Sequence, residues 1–375
     1  MHFSNKSIIF DVNFTKMRRL IFTLAAISAL LPALAGHGIV VMDGSDNTPV
    51  AGATVIGKSG VILGMTDSRG RIDIDNLNNF PVTISCIGYE QASADADSDT
   101  LLLATSTFEL NEVTVSPAER PVKRVICYAR EYTSGITGRD TMQLYSEYMT
   151  EAFIVNGKVK GYKKGDAKPA VRTKRQYARI AKEGLDSIFR PDAQDDITAL
   201  SWFDLMATLP DESITLTEAI KSGAETDTVP GKYGPKLTYR KKNNLLTVTT
   251  DMLSDHKNHT WSPFIFKLFG LTMDMEQVDM SMTFADTGND SLSVYDMVCG
   301  TYNLRIIGRG KMFKKVFDTD QPVEMNAYLE MYPIDITNIT VDEYKELKSE
   351  ASPIAFQYPA NLQPLSPAIL RLTAE

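Results

Sequence analysis

The sequence predicts a mainly β protein with an α+β second part: an N-terminal antiparallel β-sandwich of about seven strands, then a larger β-rich α+β domain. Three observations carry this. From His37 onward, short apolar alternations separated by Gly, Asp and Asn turns recur at roughly 8–12-residue spacing. Longer alternations with polar turns fill the second half. Helical patterns are few, and each has its own start and stop signals.

At 375 residues the chain has room for two domains of ordinary size. Hydrophobic residues make up 43% and charged residues 23%, the composition of a packed globular protein. The N-terminus carries an address. Arg18 and Arg19 precede an apolar run from Leu20 to Leu31, followed by Pro32 and the small-residue pattern Ala33-Leu34-Ala35. That is the layout of a secretory signal peptide over 17–35, cleaved before Gly36. Residues 1–16 then read as an over-extended gene start. No cysteine follows Ala35, so the lipoprotein cleavage motif is missing. No later apolar run reaches the ~20 residues of a membrane-spanning helix. The expected location is the periplasm, the cell surface or the medium, with no transmembrane span after cleavage.

The sandwich is expected over 37–115. Its strands read as "GIVVMD", "GATVIGK", "VILGMTD", "RIDID", "PVTISCIGYE", "TLLLA" and "TFELNEVTV". In the fifth, Val82, Ile84 and Cys86 share one face and Thr83, Ser85 and Ile87 the other. The glycines mark turns that need positive φ, and Asp67 can accept backbone N–H bonds ahead of Gly70. No helix follows these glycines, so they do not form a phosphate loop.

The elements "PVAGATV", "TDSRGRIDI", "PVTISCIGYE" and "LNEVTV", in that order, resemble the carboxypeptidase-regulatory-like domain, a transthyretin-like sandwich common in Gram-negative envelope proteins. The resemblance covers about 80 residues. It implies a non-catalytic module. In TonB-linked receptors a strand like Leu110–Val115 precedes a plug domain, but "SPAERPVKRVICYAREY" does not continue that way, so transport is not implied.

Residues 116–121, with Pro117 and Pro121, form a linker, and 122–350 form the second domain. "KRVICYAREY" and "TMQLYSEYMTEAFIVNG" alternate as strands. A helix is expected from Asp195 to Pro210, and another in "SPFIFKLFG", with Ser262 as cap, Pro263 at its first position and Gly270 at its end. A third begins at the capping-box pair Thr340 and Glu343. Hairpins turn at Asn243-Asn244 and at Thr287–Asp290, while "YNLRIIGRGKMFKKVF" and "VEMNAYLEMYPID" extend the sheet. The tail 351–375 is Pro-rich and irregular from Ser352 to Pro367. The elements "DTMQLYSEYM", "KVKGYKK", "GLDSIFRP", "DDIT" and "SWFD" resemble a family of envelope proteins built as this module plus a β-rich C-terminal domain; that resemblance implies no activity.

Motifs for chemistry are sparse. His256 and His259, with Asp255, could contribute metal ligands, but a zinc peptidase also needs a glutamate at His-Glu-x-x-His spacing, and the loop reading is preferred: no metal and no cofactor. Asp95, Asp97 and Asp99 imitate a calcium loop, yet Thr100 and Ser106 stand where glycine and glutamate belong, so a solvated turn is expected. Ser59 and Ser201 lack a nucleophile elbow. Cys86, Cys127 and Cys299 are too few and too odd in number for a disulfide framework.

The clearest departure is charge. From Lys158 to Lys182 there are ten Lys/Arg and one Asp, a net +9 in a chain of −8, so the remainder carries −17. That balance argues against nucleic acid as a partner. Lys158, Lys160, Tyr162, Lys163, Lys164, Lys174 and Arg175 are candidates for an outward patch facing an envelope protein, lipid or anionic glycan. Arg172 and Arg179 are expected to pair within the protein instead. The preferred function is a secreted, binding-type envelope protein. The alternatives are a glycan or peptide hydrolase using second-domain carboxylates, and a surface adhesin.

Overall fold

The structure, a computed structural model, describes residues 37–106, 120–138, 140–160, 169–191, 209–210, 213–264, 267, 270–349, 352–360 and 362–374. The signal segment, the stretch Leu110–Val115, most of the linker and nearly all of the helix expected from Asp195 lie outside them. So do Tyr162, Lys163, Lys164 and part of the segment after Pro263.

The N-terminal strands are β1 (His37–Asp43), β2 (Thr54–Ile56), β3 (Ile62–Met65), β4 (Arg71–Ile74), β5 (Val82–Ser85), β6 (Ala92–Ala94) and β7 (Thr100–Leu103). They form two sheets, β4-β1-β7 and β3-β2-β5-β6. The strand β6 was not anticipated; its three residues are too short for a legible alternation. One pairing is parallel, β1 with β7, because the chain crosses from β6 in one sheet to the free edge of β1 in the other. Ile39, Val41, Val55, Val82, Ile84 and Leu103 fill the core between the sheets, each fully buried. Asp67 accepts from the backbone N–H groups of Arg69 (2.8 Å) and Arg71 (2.9 Å), forming the turn that ends at Gly70. Gly70 has φ +72°, and a Cβ there would lie 2.4 Å from the Val41 carbonyl oxygen.

The second part contains β8 (Val122–Thr137), β9 (Asp140–Val155), β10 (Lys158–Lys160), β11 (Ala170–Lys182), β12 (Leu185–Phe189), β13 (Ser213–Thr215) and α1 (Glu218–Lys221). It continues with β14 (Thr226–Pro230), β15 (Pro235–Lys242), β16 (Leu245–Asp251), β17 (Leu271–Ala285), β18 (Ser291–Ser293), β19 (Met297–Gly310), α2 (Lys311–Phe317), β20 (Val323–Ile339), α3 (Val341–Ser349) and α4 (Pro367–Thr373). Eleven strands make one sheet in the order β12-β11-β9-β8-β20-β19-β17-β16-β15-β14, with β10 also on β9.

Local signals explain much of this. Asn243 and Asn244 both have left-handed backbone, φ 54° and 61°, as a two-residue hairpin turn of the sheet's own twist requires. Thr340 and Glu343 cap α3 reciprocally: the Thr340 N–H donates to the Glu343 carboxylate (2.6 Å) and the Glu343 N–H to Thr340 Oγ1 (3.1 Å). Two expectations fail. The turn at Thr287–Asp290 does not fold β17 onto the next strand; β18 pairs with β13, and β17 pairs with β19. A capping box between Ser293 and Asp296 makes a 3-10 turn that redirects the chain first. The stretch "KMFKKVF" is a helix rather than more strand. Gly310, at φ +113°, breaks β19. The i, i+4 pair Phe313 and Phe317 is then buried, with Phe313 packed on Gly308, where a Cβ would meet its ring at 2.0 Å. The tail also ends in order, as α4.

One face of the large sheet carries an apolar core drawn from β8, β9, β15 to β17, β19 and β20, closed by α1 and α2. Seven of its buried residues are methionines, whose flexible thioethers fill irregular gaps. The other face carries the sandwich and the tail: Ile56 and Ile62 pack with Tyr132, Tyr145, Ile369 and Leu372. Polar contacts fix this docking. Arg240 donates to the Pro49 carbonyl (2.9 Å), Arg371 to that of Lys58 (2.8 Å), and Lys242 pairs with Asp43 (2.8 Å). Cys86, Cys127 and Cys299 are all free thiols.

Asp43 is fully buried. Burial pushes its pKa up, but hydrogen bonds from Lys242, Ser45 and Tyr89 prevail and hold it well below the ordinary carboxylate range. A depressed carboxyl contributes stability above its unfolded pKa, near 4, and loses it as pH falls through the folded value. Asp43→Asn should therefore flatten the acid limb of the stability curve below about pH 4, measured by urea unfolding at stepped pH. Ile84→Ala should cost about 2–5 kcal/mol in the same assay. Gly70→Val should also destabilise, through strain at positive φ and collision with Val41.

Candidate functional site

The basic run folds mainly as the β11–β12 hairpin at one edge of the large sheet, turned at Glu183-Gly184. The charges on β11 divide between internal pairs and an open hollow. Arg172 pairs with the fully buried Glu151, which also takes Arg124 (2.5 Å). Arg179 pairs with Asp186 across the hairpin (2.7 Å). Lys174 and Arg175 instead line an open hollow of about 530 Å³ with Gln176, Tyr177, Arg190 and Pro191. The Arg190 guanidinium lies 5.2 Å from the Tyr177 ring centroid, and that of Arg175 lies 4.2 Å from the Phe356 ring. Arg175 Nη1 also donates to the Tyr358 hydroxyl (3.3 Å), and a guanidinium beside a ring keeps further N–H groups for an oxyanion. Lys158 and Lys160 sit apart from the hollow, on β10. Lys158 is exposed and Lys160 half-buried. Arg190 was not singled out by the sequence, because it lies beyond the densest part of the charge run and is brought back by the hairpin.

The histidine loop does not assemble a shared centre. The His256 ring stacks on Trp261, with centroids 5.3 Å apart. Asp255 accepts from the Lys232 N–H (2.9 Å) and Lys236 Nζ (3.0 Å), and these bonds hold its carboxyl below the usual range. His259 contacts the carboxylate of Asp251. Among the described residues no group of three His, Cys, Asp or Glu side chains converges as metal ligands. A carboxylate pair does form beside this loop. Asp251 on β16 and Asp279 on β17 are register partners, and Gln277 donates to Asp279 (2.7 Å). Burial, with Asp251 adding to it, raises Asp279 to about 6. No motif spacing announces this pair; it arises only from the β16–β17 register.

A third constellation lies under the sandwich and the tail. Arg175, Glu147, Arg130 and Glu330 are successive register partners across β11, β9, β8 and β20. Beside them runs a second row, Tyr177, Tyr145, Tyr132 and Tyr328. Arg130 donates to Glu330 (2.9 Å) and to the Gln363 carbonyl (2.7 Å). Tyr128 and Tyr145 donate to Glu147 (2.9 and 3.1 Å), and Tyr332 donates to Glu330 (2.7 Å). A hollow of about 40 Å³ remains between Arg130, Glu330, the tyrosines and the tail, room for a few waters at most.

No protein-family model matches the chain, and no curated protein matches it. Among solved structures it is similar to a protein described as AttH from Nitrosomonas europaea, at 10% identity and a TM-score of 0.13. The match covers 58% of this chain and 52% of that one, so the chain spans about half the length of that protein. A likeness this slight carries no argument about fold or activity. No helix among the described residues is long and apolar enough to cross a membrane.

The carboxylate pair gives a pH signature. A carboxyl raised in the folded state contributes stability that is full below its unfolded pKa, near 4, and is lost as pH rises through about 6. Asp279→Asn should raise the melting temperature at pH 8 and leave it nearly unchanged at pH 4. Asp251→Asn should bring the Asp279 titration down from about 6, read by carboxyl NMR.

Proposed function

We propose that the protein is a non-catalytic binding protein of a Gram-negative cell envelope, exported by its N-terminal signal segment. Its sandwich is a carboxypeptidase-regulatory-like module that positions the large sheet. Its ligand-facing surface is the β11–β12 edge, which takes phosphate or carboxylate groups of an anionic lipid or glycan. The observation that carries this reading is the hollow of about 530 Å³ lined by Lys174, Arg175, Arg190 and Tyr177. Three cations of one sign around an open concavity raise the local concentration of an anion and bind it most strongly at low salt. The internal pairing of Arg172 and Arg179 supports the same division, because those two cations are met within the protein and neither lines the hollow.

A hydrolase is the second reading, and it draws on the Asp251–Asp279 pair with His259 on Asp251. Neither hollow described above is lined by these residues. An adhesin has no specific observation in its favour.

The test is sedimentation with vesicles of phosphatidylglycerol, vesicles of phosphatidylcholine, and a polyuronate. Binding is expected to an anionic partner alone and to fall steeply between about 50 and 300 mM salt. Arg175→Gln with Arg190→Glu should weaken it at least tenfold; the glutamine avoids setting a second carboxylate opposite Glu147, and the exposed Arg190 charge contributes only about 0–1 kcal/mol to stability. The vesicle and polyuronate arms separate lipid from glycan. Equal binding to phosphatidylcholine, or indifference to the double substitution, would reject the reading. Turnover of a glycan or peptide that is lost in Asp279→Asn would promote the hydrolase.

A further inference from the structure

Residues 352–360 cross the sheet face in extended form, half in and half out: Ile354 and Phe356 turn inward while Pro353, Ala355 and Gln357 are exposed. This segment joins no strand ladder among the described residues. Side chains of the sheet read its main chain instead. Arg172 donates to the Ser352 carbonyl. Thr173 Oγ1 donates to the Ile354 carbonyl (2.6 Å) and accepts from the Ile354 N–H (3.1 Å), doing with one hydroxyl what a neighbouring strand would do with two groups. The aromatic side chains of the segment stack on side chains of the sheet, and neither is fully buried. Phe356 lies on Arg175, and Tyr358, 52% exposed, lies 5.2 Å from the Tyr128 ring.

Donors aimed at main-chain carbonyls, combined with shallow stacking platforms, recognise an extended backbone with little demand on sequence. Ile354 and Phe356 pack, half-buried, against the cluster of Ile126, Tyr128, Met149, Cys299 and Tyr332, while the buried residues of the tail come later, at Gln363, Ser366, Ile369 and Leu372. The geometry points to a peptide-reading groove over Arg172, Thr173 and Tyr128, occupied in this structure by the chain's own residues 352–358. Its external ligand is an extended peptide carrying two aromatic residues at i, i+2, spaced as Phe356 and Tyr358 are, and the tail is an internal competitor for it. The proposal shares Arg175 with the anion-binding reading, but its essential group, Thr173, does not line the basic hollow, so Thr173→Val tests it separately.

The probe is a fluorescein-labelled peptide with the sequence of residues 352–360, followed by anisotropy on the full chain. Weak binding is expected to the parent protein. Phe356→Ala with Tyr358→Ala should free the groove and tighten binding at least tenfold. Adding Thr173→Val should return it to the parent level or below, while a peptide with both aromatic residues changed to alanine should not bind. Hydrogen exchange of the intact protein should show the amides of 352–358 opening faster than those of β8 and β9. A folded double variant that binds no peptide at millimolar concentration overturns the groove. So does binding that survives Thr173→Val. Loss of cooperative folding in the Phe356→Ala, Tyr358→Ala variant, or protection of 352–358 equal to the central strands, overturns it as well, since a displaceable occupant is not needed for the fold.

Discussion

The Arg130–Glu330 pair is the constraint that the sheet, the sandwich and the tail all answer to. Both residues are nearly excluded from water, at 7% and 2% exposure. A buried ion pair adds little net stability, but one buried charge without its partner costs about 3–5 kcal/mol. Each free valence must therefore be met. Glu330 takes Tyr332 as well as Arg130. The second Arg130 donor goes to the Gln363 carbonyl, and the Gln363 amide donates in turn to the Tyr89 carbonyl (2.6 Å) in the sandwich. Strand β20, strand β8, the tail and the N-terminal domain are thus joined in one chain of polar contacts. Burial works against the Arg130 charge, and the Glu330 carboxylate more than offsets it, so the guanidinium stays protonated.

The same pair begins an ordered alternation. Arg175, Glu147, Arg130 and Glu330 put opposite charges side by side over four strands, the favourable arrangement for cross-strand neighbours. Tyrosine hydroxyls supply the donors that the carboxylates still lack. Toward β20 the row ends buried; toward β11 it ends at exposed Arg175. The cation at the rim of the hollow is therefore the last member of a structural row. The alternation that makes the interior tolerable fixes the sign of charge presented at the edge.

Signals written in a few adjacent residues were legible. The Asn243-Asn244 turn, the Thr340–Glu343 capping box and the Asp67 turn before Gly70 each need only local geometry, and each formed. The sandwich was legible because its turns punctuate it. The failures were contests between two local signals. The turn at Thr287–Asp290 lost to the Ser293–Asp296 box three residues later, and the alternation through "KMFKKVF" lost to Gly310 and the Phe313–Phe317 pair. What the sequence hid depends on register. Arg130 and Glu330 are 200 positions apart, and only the β8–β20 pairing makes them partners. The Asp251–Asp279 pair and the place of Arg190 beside Tyr177 arise in the same way.

Arg175 is where the internal order and the two surface readings meet. Its guanidinium face is covered by Phe356 of the tail, and its side chain also lines the hollow. A stacked guanidinium is held in orientation by the ring, so an anion at its N–H edge meets a donor that has already lost much of its rotamer freedom. Were the tail displaced, that order would be lost, and an anion would have to restore it from its own binding energy. Any coupling of this kind between two equilibria is reciprocal: the factor by which a bound anion favours the seated tail equals the factor by which the seated tail favours the anion. On the two proposals together, the basic edge and the tail form one linked surface, with Arg175 as the residue through which each reports on the other.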